Sequence, residues 1–164
     1  MSTQSANSSS LEETMSFREK SAWICLVTTV VVFVPYFTYV FRLLGRQDHS
    51  VGSYLGAFVA AVVWQIILNA GAQILIARRG RLEPKDERDV AIEAKAYRNA
   101  YLVLVALAWT VPFVSVPVSL ASGQVGATQL GGQLLLLSQL LLLSFILAEV
   151  AKYLTQVVCY RRGI

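Results

Sequence analysis

Charge, histidine and cysteine are all scarce in this chain, and each shortage closes off a class of chemistry. A single histidine, His49, stands in the segment "GRQDHS" with no second imidazole, thiolate or suitably spaced carboxylate beside it. The ligand sets of zinc sites need three or four such groups, so no metal site is assigned. The two cysteines, Cys25 and Cys159, stand at the two ends of the sequence's apolar portion, both near the cytoplasmic face in the topology derived below. A structural disulfide is not expected there. There is no Ser/His/Asp or Cys/His set, no pair of carboxylates inside an apolar run and no glycine-rich phosphate loop. The expectation is therefore a protein that is not an enzyme, with no catalytic residue and no cofactor.

What the chain has instead is apolar length. Hydrophobic residues make up 55% of it and charged residues 15%. The apolar content is gathered into four long runs, at about residues 21–44, 51–77, 97–120 and 130–158. Roughly 20 such residues suffice for a helix to cross a hydrocarbon layer of about 30 Å. The predicted fold is all-α: a polytopic four-transmembrane-helix bundle over 21–164, preceded by a polar, serine-rich tail at 1–20 for which disorder is expected. The first run is too long for a signal-peptide core. It continues into Phe33, Tyr36, Phe37, Tyr39 and Phe41 where a cleavage site would need small residues, so a retained span is expected.

Lys and Arg resist translocation, and their distribution orients the spans. Arg18 and Lys20, the seven bases from Arg78 to Arg98, and Lys152, Arg161 and Arg162 fall on one side of a four-span chain; only Arg42 and Arg46 fall on the other. Both termini and the charged loop at 78–96 are thus expected in the cytoplasm. The net charge of +4 follows from this sorting. No recognition-helix, RNP or zinc-finger pattern accompanies it, so nucleic acid is not expected as a partner.

Four features stand out as candidate sites. Gly52, Gly56 and Ala60 recur every fourth residue, the small-residue spacing that lets a second helix approach closely, whether from the same chain or from a partner. Gln65, Asn69 and Gln73 continue at the same spacing, and three amides on one stripe of a spanning helix should face protein or water rather than lipid. Glu149, Lys152, Tyr153 and Gln156 share a face of the last span. Two arrangements fit this last group. In one, Glu149 pairs locally with Lys152 where the helix leaves the membrane. In the other, a polar intramembrane cluster forms with Asn69 and Gln73, which lie at a matching depth. The loop residues Lys85, Asp86, Glu87, Arg88 and Asp89 alternate in sign, as a self-paired solvated helix would, or as a docking surface for a cytoplasmic regulator.

The strings "PKDERDVAIEAKAYRNAY" and "AEVAKYLTQVVCYRRG" resemble small bacterial four-span membrane proteins of uncharacterised function that carry a DER-type loop, some of them similar to accessories encoded beside transcription regulators. The resemblance covers the second half of the chain. It implies a bacterial inner-membrane location and a four-helix fold, and supplies no site residues.

Three functions are compatible with such a chain: lateral binding within the bilayer, for instance by an immunity-type protein against a membrane-active peptide or bacteriocin or by a modulator of another membrane protein; sequestration of a cytoplasmic regulator; or a small transporter or channel subunit. The topology is checked by reporter fusions. Fusions at residue 90 and at the C-terminus should report cytoplasm, and fusions near Asp48 and Val125 the opposite side. A cytoplasmic signal at Val125 would remove the fourth crossing.

Overall fold

The computed structural model describes residues 17–46, 51–79, 86–121 and 127–162. The N-terminal tail to residue 16, His49 and Lys85 lie outside the described residues. Four helices follow one another: α1 (Phe17–Gly45), α2 (Val51–Arg79), α3 (Glu87–Ala121) and α4 (Ala127–Arg162). A backbone that meets no water must satisfy its own hydrogen bonds, which is why apolar runs of this length become helices. Hydroxyl groups follow the same constraint. Thr29 donates to the Cys25 carbonyl, Ser144 to Leu140 and Thr155 to Ala151, each four residues back on its own helix.

Three segments are long and apolar enough to cross a membrane: Arg18–Gly45, Gly52–Ile76 and Gly131–Arg162. α3 is as long, at 35 residues, but it opens with Glu87, Arg88, Asp89, Glu93, Lys95 and Arg98, and among the described residues it does not reach the same composition.

Among the described residues the helices pack in the order α2, α1, α4, α3: α2 lies along α1 and α3 along α4, and α3 meets α1 through the Arg18–Asp89 ion pair at its start. Cross-helix contacts fix each neighbouring pair as antiparallel. Ser21 meets Gln73 while Thr29 meets Gln65; Glu19 meets Arg161 while Tyr36 meets Gln139; Asp89 meets Tyr160 while Asn99 meets Thr155. The arrangement is an up-and-down row of four rather than a closed ring.

Its core lies where α1 faces both neighbours. Phe33, Tyr36, Phe37 and Val40 follow the i, i+3, i+4, i+7 pattern of one helical face and are buried with Tyr54 and Ala61 of α2, while Leu135, Leu142, Leu143 and Ile146 of α4 pack against the cluster. Phe33, Tyr36 and Phe37 meet largely edge to face, the arrangement that ring quadrupoles favour.

Within this core the Tyr36 hydroxyl donates to Gln139 Oε1 at 2.8 Å, both residues being buried. A hydrogen bond in a bilayer contributes about 0.6 kcal/mol on average. Stranding a buried acceptor costs about 1–3 kcal/mol. Tyr36→Phe should therefore destabilise the protein by about 1 kcal/mol in detergent unfolding, and the double variant Tyr36→Phe, Gln139→Leu should recover most of that loss. A silent single variant would show that the bond is absent in the membrane.

Candidate functional site

The amide stripe of α2 is consumed by α1. Gln65 Nε2 donates to Thr29 Oγ1 at 3.0 Å, and Gln73 Nε2 donates to Ser21 Oγ at 2.7 Å with Cys25 Sγ at 3.4 Å. Thr28 Oγ1 stands 2.6 Å from Asn69 Oδ1, dividing its single proton between that amide and the Ile24 carbonyl at 2.8 Å. The seam is a hydroxyl–amide ladder between α1 and α2, in which Gln65 Oε1 is buried without a partner.

This seam decides where the small-residue face points. Gly56 and Gln65 are nine residues apart, as are Ala60 and Asn69, and nine residues are about two and a half turns of an α-helix. Burying the amides against α1 thus turns Gly52, Gly56 and Ala60 to the opposite side, where all three are exposed. A Cβ added at Gly56 would meet nothing within 4 Å. Exposed in this way, the stripe is open to a second molecule.

Beside it runs an apolar cleft of about 390 Å³ between α1 and α2, bordered by Pro35, Tyr36 and Tyr39 on one side and by Ala57, Ala60 and Trp64 on the other. Short alanine side chains opposite a proline ring leave the space unfilled. Trp64 and Tyr39 are largely exposed at its rim.

The polar group of α4 is separate from this seam. Lys152 is buried, forms an ion pair with Glu149 one turn away, and holds its ammonium 5.3 Å from the Tyr97 ring centroid and 4.5 Å from that of Tyr153. The rings and the carboxylate together offset the loss of water around the cation. Glu149 and Lys152 are thus brought together with Tyr153, and not with Asn69 or Gln73, whose helix does not reach α4. Gln156 is half-buried on the same helix.

The charged segment before α3 turns out to be largely a helix start. Asp86 is the N-cap, its Oδ1 accepting from the Glu87 amide at 2.7 Å, and Asp89 Oδ2 reaches back to accept from the Asp86 amide at 3.2 Å, the back-reaching half of a capping box. Asp89 also accepts from Arg18 Nε at 2.9 Å and from the Tyr160 hydroxyl at 3.0 Å. One carboxylate thus ties together the ends of α1, α3 and α4, and Arg161 reinforces the junction by approaching Glu19 at 3.5 Å and lying over the Trp23 ring. Of the described residues considered for docking, Glu87 and Arg88 point outward without such an assignment. The sequence offered one sign of this junction: an Asp three residues after an Asp at the head of a helix.

No family model matches the chain, and neither the curated proteins nor the solved structures contain a match.

Proposed function

We propose that this is a non-enzymatic integral membrane protein that acts by holding an apolar partner laterally, against the open face of α2 and the adjoining cleft. The observation that carries this reading is the half-turn offset on α2, which spends its polar side on α1 and leaves Gly52, Gly56 and Ala60 outward beside a slot bordered by Pro35 and Trp64. Small residues admit another backbone closely, and close packing is what holds helices together where lipid removes the hydrophobic driving force. The partner is a membrane-active peptide or a helix of another membrane protein, and the role is protective, of the immunity type, or modulatory.

The same reading takes α3 as a fourth crossing. Its antiparallel run along α4 and the one-sided distribution of Lys and Arg support that assignment, with both termini in the cytoplasm of a bacterial inner membrane.

The double variant Gly52→Leu, Gly56→Leu tests it. Its thermal unfolding in detergent should stay within about 0.5 kcal/mol of the parent, as for exposed substitutions elsewhere. Protection of cells against membrane-active peptides should be lost. Full protection by a normally folded variant would refute lateral binding through this face.

A further inference from the structure

We propose that the outward face of α3 holds an anionic phospholipid, with its headgroup phosphate between Lys95 and Arg98. At this end of the bundle Asp86, Glu87 and Arg88 are exposed at the head of α3, while two other acids are drawn inward. The side chains of Glu19 and Asp89 are only 12% and 16% exposed and already carry cationic partners, whereas Lys95 and Arg98 are exposed. The two bases stand one turn apart, near enough to converge on one phosphate. Ala91 and Ala94 beside them are too short to fill the surface, leaving a cleft of about 340 Å³ that these four residues line.

Below the cleft the same face changes character. Arg98, Leu102, Ala106, Trp109 and Phe113 succeed one another at intervals of three or four residues and all are exposed, with Tyr101 exposed beside Leu102. A base pair at the end, a tyrosine at the boundary and an apolar track beyond it match a phosphate, a glycerol ester region and an acyl chain in that order. That succession selects a lipid over a soluble anion, which would have no use for the track. The inference does not depend on the lateral-binding face, which lies on another helix.

Native mass spectrometry of the full chain in detergent tests it, with phosphatidylglycerol and phosphatidylcholine of identical acyl chains as probes. Phosphatidylglycerol should bind preferentially, and Lys95→Gln with Arg98→Gln should lower its affinity about thirtyfold, the loss of two juxtamembrane charges. Ala94→Leu, which keeps both charges and fills the cleft, should also weaken it, while Arg161→Gln with Arg162→Gln should not. Free phosphate in excess should not displace the lipid. Equal binding of the two lipids, an unchanged preference in the Lys95 and Arg98 variant, or displacement by phosphate would each overturn the proposal.

Discussion

Inside a bilayer a side-chain amide that cannot reach water needs a partner on a neighbouring helix, and in this chain that neighbour is mostly α1. Ser21, Cys25, Thr28 and Thr29 receive the amides of α2 on one side, and Tyr36 reaches Gln139 of α4 on another. At the charged end, Arg18 pairs with Asp89 of α3 and Glu19 with Arg161 of α4. Remove α1 and three amides on α2 would face lipid with nothing to bind. The row order α2, α1, α4, α3 is the geometric expression of that dependence.

The outward face of α2 follows from the same constraint rather than from any property of its glycines. An amide stripe that must face protein fixes the rotation of the helix, and residues nine positions away are then turned out by half a revolution. Function on this reading occupies the side of α2 that folding does not need. The charged end shows the complementary case: Asp86 and Asp89, placed where a partner could dock, are spent on capping α3 and clamping three helix ends.

Run length and composition made the helices legible in the sequence, and the spacing of Phe33, Tyr36, Phe37 and Val40 marks a single face that proves to be core. The partner of the amide stripe was not legible in the same way. Depth counted from the outer ends aligns α2 with α4, because both run in the same direction; helices at equal depth need not be adjacent, and these two are not. The actual partners on α1 are three hydroxyls and a thiol. Their type is unremarkable in a spanning helix, since such groups can bond their own backbone, as Thr29 does. Their order held the usable signal: Ser21 with Cys25, then Thr28, then Thr29 meet Gln73, Asn69 and Gln65 in antiparallel order. Glu149 and Lys152 were placed together by helical spacing alone, whereas the Tyr97 ring that covers Lys152 comes from α3 and depends on the packing of two helices.

The account stands on the seam between α1 and α2, and disulfide trapping in native membranes probes it directly. In a background carrying Cys25→Ser and Cys159→Ala, the pair Ser21→Cys with Gln73→Cys should crosslink rapidly under mild oxidation, and the pair Gln73→Cys with Glu149→Cys should not. Efficient crosslinking of the second pair with none in the first would place the amide stripe of α2 against α4 instead of α1 and contradict the account.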